Sequence, residues 1–269
     1  MTTARAITVV AITVALLLGL VCSPPPKEID YNKPDAGEHP EAPILLAISP
    51  DDGEENVNRK PVFRLKFDRH IDAKTLAAYR FSLISGEAGK SLLTVYDPTR
   101  KEVLVWLAGQ MLPESTWVFS IRPGLMGLNG APVPPGDEAT FRTGKDVINE
   151  SPFHNRSYYD EVVPLFKKHC SSCHGGAGRG ISGLKLDTKE NILETAISVP
   201  ATGRREWKRI SPTRPGESYL LYKLTNDALI TGLRMPRTLD TGESPAPLTK
   251  EEKQILFDWI ATGAHFVDP

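Results

Sequence analysis

Lys168-His169-Cys170-Ser171-Ser172-Cys173-His174 is the stretch on which the reading of this chain turns. Two of the three cysteines stand three residues apart within it, and a histidine follows directly. On a helical turn, residues three apart share a face, so both sulfurs reach the same edge of a flat macrocycle while His174 turns its imidazole under the centre. This Cys-x-x-Cys-His spacing is the attachment signature of a c-type haem, with Cys170 and Cys173 as thioether donors and His174 as the proximal iron ligand. A thioredoxin-like thiol pair would need a strand before the motif. Here Tyr158, Tyr159, Val162, Leu165 and Phe166 recur at helical spacing instead. A structural zinc site needs four ligands around a tetrahedron, and the motif is too contiguous to supply them. A disulfide across so short a loop would add little stability.

Outward from the motif, Met235 is the candidate sixth ligand. It sits in Gly232-Leu233-Arg234-Met235-Pro236-Arg237, a stretch too polar and turn-rich for a core segment. A thioether is a soft donor that favours reduced iron. His265 is the competing ligand, and a vacant distal side is the remaining alternative. Near the C-terminus Thr249 and Glu252 form a capping box, and Ile255, Leu256, Trp259 and Ile260 form an apolar helical stripe ending at Gly263.

The order Val163-Pro164-Leu165-Phe166, Cys170 to Gly175, Gly183-Leu184-Lys185-Leu186-Asp187, Pro215 to Leu224, Arg234-Met235-Pro236, Leu248 to Glu252 and Trp259 to Ala264 resembles monohaem class I cytochromes c. The resemblance implies one covalent haem c on Cys170 and Cys173, His174 proximal and Met235 distal. It also implies first and last helices crossing beside the haem, and single-electron transfer to a redox partner protein. Pro164 lacks an N–H, so a kink or helix restart is expected there. The stretch 191–207 is longer than such a domain requires.

Upstream, 43–144 alternates short apolar runs with turn signals: Ile44–Ile48, Val62–Phe67, Phe81–Ile84, Leu92–Tyr96, Val103–Leu107, Trp117–Ile121 and Ala139–Arg142. Seven strands of this kind suggest a sandwich. In Val62–Phe67, period-2 alternation assigns Val62, Arg64 and Lys66 to one face and Phe63, Leu65 and Phe67 to the other. Pro50-Asp51-Asp52-Gly53, Phe67-Asp68, Leu112-Pro113 before Trp117–Ile121, and Gly127-Leu128-Asn129-Gly130 resemble the bacterial Ig-like domain of surface proteins. His70 beside Asp68 and Asp72 could be taken for a metal cluster, but acidic turn residues after a strand are ordinarily solvated.

At the N-terminus, Arg5 precedes an uncharged run from Ile7 to Val21, 15 residues long, short of the roughly 20 that span a bilayer. It runs into Cys22-Ser23-Pro24-Pro25-Pro26. This reads as an export signal, and the Cys directly after it resembles the lipidated cysteine of bacterial lipoproteins. Gly19 and Val21 depart from that family's usual Leu and small residue. The expected organisation is therefore a signal peptide at 1–21, a tether at 22–42 lipidated on Cys22, an Ig-like sandwich at 43–144, a linker at 145–156 and a cytochrome c domain at 157–269. The expected fold class is an all-β Ig-like sandwich followed by an all-α cytochrome c fold, anchored to a membrane in the periplasm or at the cell surface. Two rival functions stay open: a haem peroxidase or gas or redox sensor with a labile distal ligand, and a surface binding module with an accessory haem domain. With 32 Lys and Arg against 33 Asp and Glu there is no basic field for nucleic acid. The chain carries no motif for hydrolysis or phosphoryl transfer.

Overall fold

A computed structural model describes residues 41–86, 88–136, 138–176, 180–227, 230–237 and 246–267. The export signal, Cys22 and most of the tether lie outside the described residues. Tyr31–Pro269 forms one compact unit.

Among the described residues eight strands make two antiparallel sheets. One orders β1 (Leu45–Ser49), β2 (Val62–Phe67), β6 (Glu102–Leu107) and β5 (Leu92–Asp97); the other orders β4 (Ala88–Gly89), β3 (Phe81–Ser85), β7 (Thr116–Ile121) and β8 (Glu138–Arg142). The seven expected runs are all strands, and Ala88–Gly89 adds a two-residue edge. The sheets meet face to face: Phe63 of β2 stacks on Phe119 of β7 with ring centroids 4.4 Å apart, and Phe141 of β8 closes on Phe63 at 5.8 Å. As the alternation predicts, Phe63, Leu65 and Phe67 point inward and are buried. Val62, on the opposite face, is buried as well, because that face is covered.

What covers it is the second half of the chain. A π-helical turn, Tyr158–Val162, leads into α1 (Val163–His169), with Pro164 in its first turn; α2 (Lys189–Thr195), α3 (Tyr219–Tyr222) and α4 (Lys250–Ala261) follow. Pro164 produces the expected restart, since its missing N–H is tolerated in a first turn but not in an interior one. The capping box forms: Thr249 Oγ1 accepts from the Glu252 N–H at 3.1 Å, and Glu252 Oε2 accepts from the Thr249 N–H at 2.9 Å. α1 and α4 pack through Phe166 and Trp259, and Tyr158 and Phe266 add edge contacts.

The expectation of an all-α cytochrome c fold after the all-β sandwich is corrected here. Among the described residues after 156 there are four α-helices, of which only α4 exceeds seven residues. Turns and isolated bridges such as Ile197 to Ile210 and Pro200 to Lys208 join them. The described residues thus form a β-sandwich carrying short helices, without an all-α domain. The physical reason lies in where the large side chains go. Trp207, Tyr219 and Tyr222 enter the core that the sandwich encloses, while Val62, Val95 and Leu104 of the sandwich enter the core under α1 and α4. Each fully buried side chain of this size is worth roughly 1.5–3 kcal/mol, so the helical half stabilises itself on the sheet and not as a closed bundle. The stretch 191–207, without an assigned role in the sequence, ends in Trp207, which lies 4.3 Å from the Tyr222 ring at this seam.

Candidate functional site

The chain enters the motif from α1, whose buried Leu165 and Phe166 fix the helix on α4. The Cys170 N–H still bonds to the Phe166 carbonyl at 2.9 Å, and the His174 N–H bonds to the Cys170 carbonyl at 2.8 Å. The five motif residues therefore continue as a hydrogen-bonded turn, the geometry that aims residues three apart to one side. Behind the turn, the Ser171 hydroxyl donates to the Phe166 and Leu186 carbonyls at 3.0 and 3.2 Å. The Leu186 N–H returns to the His174 carbonyl at 2.6 Å. Gly175 is required here, since a Cβ would sit 2.5 Å from the Ser171 carbonyl oxygen.

A clamp of charged groups fixes the entry to the motif. Glu252 Oε1 accepts from Lys168 at 2.9 Å and from His169 Nε2 at 3.0 Å, while its other oxygen closes the α4 capping box. Burial raises the Glu252 pKa, but the bonds from His169, Lys168 and the Thr249 N–H outweigh it and take the carboxyl down to about 2. One carboxylate thus ties the C-terminus of α1 to the N-terminus of α4. Sequence reasoning missed this role of His169 and Lys168; the capping box already named the carboxylate, but not its partners on another helix.

Met235 arrives from a loop held by Lys223. The Lys223 ammonium donates to the Thr231 and Leu233 carbonyls at 2.9 and 2.6 Å, and the Met235 N–H donates to the Lys223 carbonyl at 2.7 Å. Burial, with Arg237 adding, lowers the Lys223 pKa to about 8. On the far side Arg209 donates to the Gly183 and Thr195 carbonyls, each at 2.7 Å, pinning the segment after the motif to α2.

Cys170, Cys173, His174 and Met235 line one cleft, with Ile181, Leu224, Leu248 and Pro236 as its apolar wall. Both thiols are free. Burial, with Cys173 adding, pushes the Cys170 thiol up to about 12, the opposite of the depressed thiol that a redox-active pair uses. His174 is lowered by burial, against the raising effect of the Ile181 and Leu184 carbonyls, and its Nδ1 is buried without a hydrogen-bond partner. Two thiols, an imidazole with an orphaned nitrogen and a thioether, grouped in an apolar cleft, are the donor set that fits a covalently attached haem. Among the described residues no group of three or more His, Cys, Asp or Glu could hold a metal ion by itself.

His265 is exposed and does not line this cleft; its carbonyl accepts from the Trp259 indole at 2.8 Å. His70 is not solvated but fully buried. Its Nδ1 lies 2.9 Å from the Tyr96 hydroxyl and its Nε2 3.5 Å from Asp227, and burial lowers its pKa to about 4. Asp68 pairs with Arg69, and Asp72 accepts from the Lys74 N–H, so the three side chains turn to separate partners.

Among the described residues no helix is long and apolar enough to cross a membrane. No family model matches the chain, and no curated protein does. Solved structures do resemble part of it. The N-terminal part of the bacterial S-layer protein SbsC aligns at 15% identity over 40% of this chain and 24% of its own, TM-score 0.32. The chain thus spans about a quarter of that relative. PcoC, a methionine-rich copper resistance protein from Escherichia coli, aligns at 15% identity over 38% of this chain and 99% of its own, TM-score 0.31. CopC from Methylosinus trichosporium OB3b aligns at 16% identity over 38% of this chain and 93% of its own, TM-score 0.29.

Proposed function

We propose that this chain is an exported carrier of single electrons that would hold one haem c covalently through Cys170 and Cys173, with His174 and Met235 as the ligands to its iron. The observation that carries the reading is the cleft in which the Cys-x-x-Cys-His turn and Met235, far apart in sequence, come together. When bound, the haem supplies a reversible one-electron couple. The residues of the chain attach, orient and shield it. The two thiols fasten the macrocycle's edge. Ile181, Leu224 and Leu248, which wall the cleft, would shield a bound haem from water. The Met235 sulfur, a soft donor, would favour the reduced state, and Lys223 holds its loop through the Thr231 and Leu233 carbonyls and the Met235 N–H. We further read 43–144 as a bacterial Ig-like module and Cys22 as the lipidated residue that tethers the mature chain to a membrane.

The test is attachment. The purified wild-type chain should retain haem through denaturation and organic extraction, and give a c-type reduced spectrum. Cys170→Ala or Cys173→Ala should lose most of the haem that survives extraction, while Met235→Ala should keep it, lower the reduction potential and open the iron to carbon monoxide and cyanide. Haem that extracts freely from the wild type, or a Met235→Ala protein with an unchanged potential, rejects the assignment.

A further inference from the structure

His70 is the polar centre of the seam on which the segment after 200 docks. It lies just beyond β2, and its side chain is fully buried. Tyr96 of β5 meets it from the sandwich with its hydroxyl 2.9 Å from Nδ1, and the Tyr222 ring of α3 lies 4.9 Å from it on the docked side. The approach is close: a Cβ at Gly216, in the turn leading to α3, would stand 2.7 Å from the Ala73 Cβ and 3.0 Å from that of Tyr96. Asp227, after α3, faces the His70 Nε2 at 3.5 Å.

These contacts define the protonation state. A carboxylate only accepts, so the Nε2 that faces Asp227 carries the proton and Nδ1 is the acceptor. The Tyr96 hydroxyl therefore donates to Nδ1, while its oxygen accepts from the Ile71 N–H at 3.2 Å. A second proton on the imidazole has to go to Nδ1. It turns that acceptor into a donor aimed at a hydroxyl whose own proton then loses its acceptor, inside a fully buried site. The added charge is also poorly received. Burial is the main force that keeps His70 neutral; Asp227 opposes it, and Lys101 and Arg204 add to it. Lys101, from the β5–β6 turn, already pairs with Asp227 at 3.0 Å, and Arg204 lies over the Trp207 ring at 5.0 Å. Tyr96 and Tyr222, the titratable groups in contact with the ring, are both kept neutral by burial.

We propose that His70 is an acid-sensitive latch: neutral, it holds 201–227 on the sandwich, and protonated at Nδ1 it releases that segment. The segment carries Lys223, whose ammonium and carbonyl hold the loop of Met235, so release at the seam loosens the Met235 side of the motif cleft. The latch stands on the seam alone and does not depend on the haem reading. In the closed seam burial delays proton uptake to about pH 4, whereas a released His70 takes it up at the ordinary 6.5. The hold is therefore complete above pH 6.5 and is lost as pH falls towards 4.

The test uses the full chain as purified, read by amide hydrogen exchange corrected for the intrinsic effect of pH. Between pH 7.5 and pH 4.5, protection over 201–227 should fall by about 70-fold, together with that of the Met235 N–H, while 81–121 in the sandwich keeps its protection. His70→Asn and His70→Gln, neutral amides that can still accept from Tyr96, should hold 201–227 at pH 4.5 as at pH 7.5. Nuclear magnetic resonance of the wild-type imidazole should show the proton on Nε2 and a titration well below 6.5. A fall in protection of the same size in both variants overturns the latch, and so does an equal fall over 81–121. Where neither variant folds, the wild-type titration decides: a His70 that titrates near 6.5 in the folded chain overturns the proposal.

Discussion

The sandwich and the helical half are held together by different means. In the sandwich, ladders of backbone hydrogen bonds repeat along each strand pair, and no single side chain is responsible for the register. In the helical half, individual side chains take over. Arg156 spans the linker to α4, binding Asp258 through Nε and Nη2 at 2.9 and 2.8 Å and Glu161 through Nη1 at 2.9 Å. Glu252 joins α1 to α4, Arg209 joins the segment after the motif to α2, and the Ser218 hydroxyl bridges the Ser211 and Arg214 carbonyls. A ladder loses one bond of many when a residue changes. A clamp loses the contact between two elements. The Cys-x-x-Cys-His motif sits in the clamped half, so its geometry depends on a few named residues.

The sharpest way to break this contrast is Arg156→Met. Asp258 is fully buried, and stripping it of its cation leaves an uncompensated charge, at a cost of about 4 kcal/mol. At this chain length that corresponds to roughly 10 °C in Tm, read by calorimetry; a loss below about 1 kcal/mol would mean that the clamp is ornamental.

Leu104→Ala probes the seam against Leu83→Ala in the inner core, both side chains being buried. Each should cost about 3 kcal/mol, and both proteins should melt in one transition followed by circular dichroism and by near-ultraviolet signal alike. A cheap Leu104→Ala with two separate transitions would show that the halves fold independently.

Asp97 offers a pH-dependent test on the sandwich side. Burial raises its pKa from 3.8 to about 6, against the bonds from Thr99. The folded state therefore holds this proton more tightly than the unfolded chain, a contribution present in full below pH 3.8 and lost as pH rises through about 6. Asp97→Asn should consequently gain about 2 kcal/mol on wild type between pH 4 and pH 8, measured by urea unfolding across that range. A difference that stays flat with pH would refute the raised pKa.

Glu252→Gln is the smallest expected effect and has the opposite sign with pH. Its carboxyl is depressed from 4.5 to about 2, so its contribution is present above pH 4.5 and fades as pH falls towards 2. The variant should cost about 1 kcal/mol at pH 7 and nothing near pH 2. An equal cost at both ends would assign the loss to packing and not to the charged clamp.

Much of the sandwich is legible in the sequence. Period-2 alternation in Val62–Phe67 named the inward face, because a pleated strand leaves no other choice once one face is buried. The covered outer face had a signal too: Val103-Leu104-Val105-Trp106-Leu107 is apolar without alternation, the pattern of a strand buried on both sides. Its residues divide accordingly, Val103, Val105 and Leu107 inward and Leu104 and Trp106 against the helical half. The helical half is less legible. Tyr158 to Phe166 and Ile255 to Ile260 carry helical spacing and do form helical segments. Spacing reports only which residues share a face, however, not what that face packs on.

Sequence alone placed Cys170, Cys173 and His174 on one turn, because they are neighbours along the chain and local hydrogen bonding suffices to present them together. It also determined the caps and turns that depend on residues within four positions, such as Thr249 with Glu252. Tertiary structure alone decided that Met235 shares a cleft with His174, that Glu252 also holds Lys168 and His169, that His70 is buried against Asp227, and that the helices lie on the sheet in place of a bundle. Each of these joins residues distant in the chain. Such contacts form only where the hydrophobic surface of the whole unit closes, and closure is a property of the summed packing that no local window contains.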